Sequence, residues 1–253
     1  MQTSSQTPLA NKLLARLPSP DFNLIASLLE YVDLPRGIIL GKRHEEIDYI
    51  YFLTSGVGSI VATSPGGHKA EAGLFGCEGY IPAPAARGSP WHIHDMNMQI
   101  EGAAYRLGFG QFQTLTKEND NFALLVARVT EAFSAQVTYT ALSNAVHDVN
   151  ERLARWLLMC HDRVEGDEIA LTHEFMSLMI ATRRSSVTSA LHVLEGSGFI
   201  RSTRGLVTVR NREALEEFAH DAYGRPEEEY ERLMVGLFEC NTAEPVATES
   251  SFD

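Results

Sequence analysis

The stretch LTHEFMSLMIATRRSSVTSALHVLEGSGFIRSTRGLVTV, residues 171–209, decides the fold of this chain. Its opening predicts a short helix that starts at the N-cap Thr172 and turns Phe175, Met176, Leu178 and Met179 inward. Residues 180–182 read as a tight turn, with Thr182 capping a second helix. In that helix Val187, Ala190, Leu191 and Leu194 recur at helical spacing and form the inner face. The opposite face carries Arg183, Arg184, Ser185, Ser186, Thr188, Ser189 and His192. Two arginines ahead of small hydroxyl residues at a helix N-terminus suit the major groove of double-stranded DNA. Guanidinium forks take guanine edges or phosphates, and short side chains let the helix sit close. After Glu195 the run GSGFIRSTRGLVTV supplies a glycine stop, a strand, an Arg-Gly turn and a second strand, a wing bearing Arg201 and Arg204. The expected DNA contacts are therefore Thr172, Arg183, Arg184, Ser185, Ser186, Thr188, Ser189, His192, Arg201 and Arg204.

Charge is distributed to match. The chain of 253 residues is acidic overall, at -12, which on its own argues against a nucleic-acid partner. Between Arg183 and Arg212, however, six arginines face Glu195 alone. From Glu213 onward twelve carboxylates face only Arg225 and Arg232. The surplus acid lies outside the reading block, and screening over roughly 8 Å leaves phosphate binding to the local field.

Hydrophobic content of 44% is ordinary for a globular chain, and no apolar run approaches the roughly 20 residues of a membrane span. The start, MQTSSQTPLANKLLARLPSP, has no charged-then-apolar leader pattern, so the expected location is the cytoplasm. Cys77, Cys160 and Cys240 are far apart and show neither zinc nor iron-sulfur spacing. Cys160 falls on the apolar side of a helix as buried filler, and Trp91 and Trp156 read as packing residues.

The first half follows a different period. Residues 37–40, 47–53, 58–62, 69–74, 96–100 and 103–107 read as strands, with turn signals at Ser55-Gly56, Pro65-Gly66-Gly67 and Glu101-Gly102. This spacing predicts a small antiparallel barrel or jelly roll. Residues 116–144 then read as one long helix with Phe122, Val126, Val129, Phe133, Val137 and Thr140 on a narrow stripe, the pattern of a dimer seam. Residues 225–240 suggest one more helix, with Tyr230, Leu233, Met234, Leu237 and Phe238 on one side, followed by a disordered acidic end.

A barrel, a long helix and a winged helix-turn-helix together resemble the Crp/Fnr family of bacterial transcription regulators. The resemblance spans about residues 22–221. It rests on Pro35-Arg36-Gly37, on IYFLTSG at 50–56, on the hairpin near Gly66 and above all on residues 171–209. It implies an α+β fold: an N-terminal antiparallel β-roll or jelly-roll sensor domain, a long dimerisation helix and a C-terminal winged helix-turn-helix. The corresponding division is an arm at 1–21, the sensor at 22–115, the dimerisation helix at 116–147, the DNA-binding domain at 148–223 and an acidic tail at 224–253. The implied partners are double-stranded DNA at a pseudo-palindromic site and a second copy of the chain, with RNA polymerase a further candidate.

Departures from the family pattern shape the expected chemistry. Arg184 matches the family's first reading arginine, but Ser185 stands at its glutamate and Ser189 at its second arginine, while Arg183 is an extra charge. Serine lacks the bidentate reach to guanine, so a softer half-site code is expected. In the sensor, Gly76-Cys77-Glu78-Gly79 partly matches the family's ribose-binding turn, but the phosphate-binding Arg-Ser place falls near His92-Ile93 and the nearest arginine is Arg87. Glu78, Arg87 and His92 are the candidate ligand residues, without an intact cyclic-nucleotide phosphate clamp. Gly79, Pro82 and Pro84 resist the short helix expected there. No iron-sulfur cysteine cluster is present, and the effector stays unknown.

Two other classes remain open. On a strand, His92 and His94 would share a face with Met96 and Met98, which raises a metal-dependent barrel enzyme. The cupin form of that idea places a glutamate three or four residues after HxH, whereas Glu101 comes seven after His94. A winged-helix protein-interaction module is the other. Nucleophile-elbow, Walker and HExxH motifs do not occur, and the expectation is that the chain is not an enzyme.

Overall fold

The computed structural model describes residues 7–238. Helix α1 (Ser19–Ala26) precedes the strands β1 (Glu30–Leu34), β2 (Ile39–Gly41), β3 (Tyr49–Thr63), β4 (Lys69–Phe75) and β5 (Asp95–Gly108). Helices α2 (Phe109–Glu118), α3 (Asp120–Val146) and α4 (Val149–His161) follow. The C-terminal part runs β6 (Glu168–Ile169), α5 (His173–Met179), α6 (Arg184–Gly196), β7 (Ile200–Thr203), β8 (Leu206–Val209), α7 (Arg212–Ala219) and α8 (Arg225–Met234). The fold is α+β: an antiparallel sensor sheet in the order β1-β5-β3-β4, with β2 also on β5, then the long helix, then a helix-turn-helix with the β6-β8-β7 wing sheet.

Four expected strands are two. The expected strands 47–53 and 58–62 merge into the single strand β3, which starts at Tyr49, and 96–100 and 103–107 into the single strand β5, paired from Tyr49 opposite Gly108 to Val61 opposite Asp95. Ser55-Gly56 and Glu101-Gly102 are therefore not turns. They face each other where the register slips, as bulges. Gly56 has φ +82°, and a Cβ there would lie 2.8 Å from the Glu101 carbonyl oxygen, while one on Gly102 would strike the Ser55 carbonyl. The glycines mark close backbone approach across the sheet rather than chain reversal. Strand β1, EYVDL, escaped the sequence reading because it is an edge strand with most of its side chains in solvent.

The long helix is also divided. Helix α2 ends at Glu118, and Asn119 leaves helical geometry to cap α3, its side chain accepting from the Phe122 N–H at 2.8 Å. The stripe read as a dimer seam faces into its own chain. Phe122, Val126 and Val129 pack with Phe52, Tyr80, Leu107 and Phe112 in one core, and Phe133 lies against the barrel interior. Thr140 is buried and accepts from Arg155 at 3.0 Å. Periodicity shows that a face is covered, not by what.

Helix α8 returns from the C-terminal part to lie along α3. Leu233 and Met234 are buried, the Tyr230 hydroxyl donates to the Glu78 carbonyl at 2.9 Å, and Arg16 reaches the Met234 carbonyl at 3.2 Å. Leu237 and Phe238 pack against the same core. The acidic end beyond residue 238, expected to be disordered, lies outside the described residues, as does Cys240.

Helix α4 joins the two halves. Asp148 caps it in a box with Glu151, and every residue from Leu153 to Cys160 is buried. Its core takes Val57 and Leu74 from the sensor sheet as well as the winged domain. Trp156 is a packing residue as expected, but it also donates from Nε1 to both carboxylate oxygens of Glu71, at 3.2 and 3.3 Å. Trp91, by contrast, is 49% exposed. No described helix is long and apolar enough to cross a membrane.

Burial pushes the Glu71 carboxyl up to about 8, against the opposing influences of Trp156, Arg155 and Arg163. The folded chain thus keeps a proton that the unfolded chain releases in the ordinary carboxylate range, and stability contributed by Glu71 falls as pH rises toward 8. Glu71→Gln keeps an acceptor for Trp156 and removes the titration. Urea unfolding between about pH 6 and about pH 8 should show the variant gaining on the wild type by about 1 kcal/mol per pH unit. A constant difference across that window contradicts the assignment.

Candidate nucleic-acid interface

The reading surface is built on α5 and α6. Thr172 caps α5, its hydroxyl accepting from the Phe175 N–H at 3.3 Å, and Met176 and Met179 turn inward. The chain reverses through Ala181, whose φ of +46° is the left-handed region that a side chain with a Cβ adopts at a cost. The Thr182 N–H closes the turn on the Ser177 carbonyl at 2.9 Å, and Arg152 of α4 donates to the Ile180 carbonyl.

Thr182 is not the cap of α6. The N-cap is Arg183, which offers no side-chain acceptor, because the closing bond places Thr182 within the turn. The leading N–H groups of α6 are thus without a capping side chain at the positive end of the helix dipole, an arrangement suited to phosphate. Val187, Ala190, Leu191 and Leu194 are buried as expected.

The predicted contact residues differ in availability. Arg183, Arg184, Ser185, Ser189 and His192 are exposed, as are Arg201 and Arg204 on the wing, while Thr172, Ser186 and Thr188 are half-buried. Among the described residues no ion pair engages Arg183, Arg184, Arg201 or Arg204. The Thr188 hydroxyl donates to the Arg184 carbonyl at 3.1 Å and also meets His173 Nδ1 at 3.1 Å, which ties α6 to α5. Ser189 donates back to Ser185 O at 3.2 Å. Glu195, the single acid of the block, accepts from the Ser202 N–H at 2.9 Å and anchors the wing. The wing turns at Gly205, with φ +79°.

One side of this surface faces the sensor. A groove of about 1600 Å³ separates the β3–β4 hairpin from the helix-turn-helix, with His68 and Lys69 on one wall and Arg183 and Ser186 on the other. Arg36 sits 5.4 Å from the Phe175 ring centroid. Arg210 is exposed, as its reading as a solvated charge implies. Arg212 is not. It donates to Asp162 at 2.7 Å and to the Tyr223 hydroxyl at 2.8 Å, pairs with Glu216 and meets His161 Nδ1. Its role in joining α4, α7 and the start of α8 had no local sequence signal.

The candidate ligand residues of the sensor are not brought together. Glu78 is paired with Arg163 of the segment after α4, at 2.7 Å. Arg87 is exposed at the end of a 3-10 turn, Ala83–Arg87, which forms despite the prolines because Pro82 is its cap and Pro84 stands in its first turn, where no N–H is needed. His92 lies in a separate cavity of about 260 Å³, its ring against Gly41 and its pKa lowered by burial. His92 and His94 do not share a face. The strand begins only at Asp95, so His92 is buried and His94 exposed. Ile60, Phe75, Ile81, Met96 and Met98 pack the barrel interior. Among the described residues no group of three or more metal-ligating side chains stands together. Cys160 is buried and Cys77 half-buried, both as free thiols.

Residues 151–218 match the family of Crp-like helix-turn-helix domains. No curated protein sequence matches the chain significantly. Among solved structures, a Crp/Fnr-family transcriptional regulator of Eubacterium rectale is 16% identical, with a TM-score of 0.63 over 84% of this chain and 98% of that one. FixK2 of Bradyrhizobium japonicum is 16% identical, with a TM-score of 0.63 over 78% and 98%. The c-di-GMP-responsive regulator CLP of Xanthomonas campestris is 14% identical, with a TM-score of 0.61 over 76% and 99%. These likenesses establish the shared fold.

Thr172 has a defined structural task as the cap of α5. Thr172→Ala should lower the stability of the chain by about 1 kcal/mol, and Thr172→Ser should restore most of it, as read by chemical unfolding. Equal stability of all three forms would show that the cap contributes nothing.

Proposed function

With residues 151–218 forming a Crp-like helix-turn-helix domain on a chain of Crp/Fnr fold, we infer that the protein is a sequence-specific DNA-binding transcription regulator acting as a homodimer. The observation that carries this reading is the N-terminus of α6. It presents Arg183 and Arg184 in solvent and free of ion pairs, on a helix whose opposite face is locked into a core, beside a wing with Arg201 and Arg204. Such a surface enters a major groove and reads through Arg184, while Arg183 and the wing arginines hold phosphates.

The dimer is assigned to the outward face of α3. Ala127, Glu131, Ser134, Thr138, Ala141 and Ala145 alternate at four- and three-residue spacing and, with Leu124, Leu142 and Val146, are exposed. We propose this face, mostly of small side chains, as the dimer seam, displaced around the helix from the stripe that the periodicity singles out. A two-fold dimer joined there would be expected to read half-sites about one DNA turn apart, roughly 34 Å. Regulation follows as a shift in the orientation of the winged domain relative to the sensor, with RNA polymerase as the partner of the bound dimer and the cytoplasm as its place of action.

Selection from a randomised duplex library should yield a pseudo-palindrome. On that site Arg184→Ala should weaken binding by about 1–3 kcal/mol and blunt the preference at one base pair of each half-site. Arg204→Ala should instead weaken all sequences alike and lower the salt slope by about 1. An Arg184→Ala variant with unchanged affinity and preference would remove the reading role, and the absence of DNA affinity at low salt would favour a protein-interaction module.

A further inference from the structure

A cavity of about 700 Å³ lies where the end of β4, the inner face of α3, the end of α4 and the start of α8 meet. Its size is that of a small-molecule site, about 300–1,000 Å³. The sensor contributes Leu74, Phe75 and Tyr80, and α3 contributes Val129, Ala132 and Phe133. Tyr223, Pro226 and Tyr230 close the far side. The three tyrosine hydroxyls are engaged elsewhere, with Thr130, Asp162 and the Glu78 carbonyl, so the rings serve as apolar walls.

One polar group in this lining is unpartnered. Gln136 is only 7% exposed, and its Oε1 accepts from the Leu74 N–H at 2.7 Å. The same bond fixes the amide, yet no protein acceptor among the described residues meets its Nε2. That Nε2 is open to the cavity, and a ligand oxygen reaching it would take the place of water as its acceptor.

Electrostatics narrows the class. Five carboxylates line the cavity, Glu78, Asp162, Glu227, Glu228 and Glu231, against Lys12 and Arg163. An anion would give up its hydration with only the exposed Lys12 to meet it, because Arg163 is already paired with Glu78. A cation finds few free counter-charges, because Glu78 pairs with Arg163, Asp162 with Arg212 and Glu228 with Arg225. Glu227, which accepts from the Gly224 N–H at 3.1 Å, is pushed toward its neutral form by burial.

We propose that this cavity binds an uncharged aromatic small molecule whose oxygen acceptor meets the Gln136 amide nitrogen. Such a molecule touches the sensor, α3 and the C-terminal elements at once, and it binds the chain in the absence of DNA.

The test uses the full chain without DNA and two probes of one ring system, naphthylmethanol and naphthylacetate. Calorimetry should show one naphthylmethanol per chain and at least about tenfold weaker binding of naphthylacetate, because its carboxylate loses hydration without a built counter-charge. In the wild-type protein, methyl resonances of Val129 and Leu74 should shift on adding the alcohol. Ala132→Phe, which projects a ring into the cavity, should abolish binding while leaving the circular dichroism spectrum unchanged. Lack of naphthylmethanol binding to the wild type, or shifts confined to other methyl groups, overturns the site. Equal affinity for the two probes overturns the ligand class. Should Ala132→Phe fail to fold, the methyl shifts alone decide the location.

Discussion

The burial of α4 is the constraint on which the rest of the structure depends. From Leu153 to Cys160 no turn of this helix faces solvent, so one 13-residue segment is shared between the sensor sheet and the winged domain. Close packing of this kind leaves no slack: a side chain that fills a gap on one side is held by neighbours on the other. Trp156 is the largest piece of that joint, and its indole N–H must find an acceptor in an apolar setting. Glu71 provides it from β4, at the cost of burying a carboxyl. The orientation of the reading helix relative to the sensor is therefore set by packing around α4, and the Arg152 bond to the Ile180 carbonyl carries that constraint into the turn before α6.

What was legible in the sequence is what local physics decides. The helix-turn-helix could be read because helical spacing, the Thr172 cap and the wing glycines each act within a few residues. Its finer errors are also local: Thr182 looks like a cap, but a backbone bond to Ser177 draws it into the turn. The sensor was legible as antiparallel β-structure and illegible in strand count, because a glycine that permits close approach across a sheet looks the same in one dimension as a glycine that permits a turn. His92 and His94 failed for a similar reason. Alternation holds only along a strand, and the strand starts one residue after them.

Tertiary partners left weaker traces. The stripe from Phe122 to Thr140 announced a covered face on α3, but the cover is the barrel, α4 and α8 of the same chain. The opposite face mixes alanine, serine and threonine with Glu131, Leu124, Leu142 and Val146, so no single apolar stripe marks it. Arg212 belongs with these cases. Its partners Asp162 and Tyr223 are distant in sequence or hidden in an acidic stretch, so nothing near it distinguishes it from the exposed Arg210.

The acidic C-terminal region gains a physical reading from its place in the fold. Helix α8 leaves the winged domain and fastens to α3 and to the N-terminal arm, while Arg212, Asp162 and Tyr223 hold its root beside α7. His147, at the junction of α3 and α4, meets Ser143 on one side and Asp221 at 2.9 Å on the other. The winged domain is thus attached to the sensor at both of its ends, through α4 and through α8. A rotation about the single joint between α3 and α4 cannot leave α8 where it is. Either α8 slides with the winged domain along α3, or its contacts at Tyr230 and Met234 open. The tail that looks like an appendage in the sequence is a second tether, and any switching of the reading helices has to act through it.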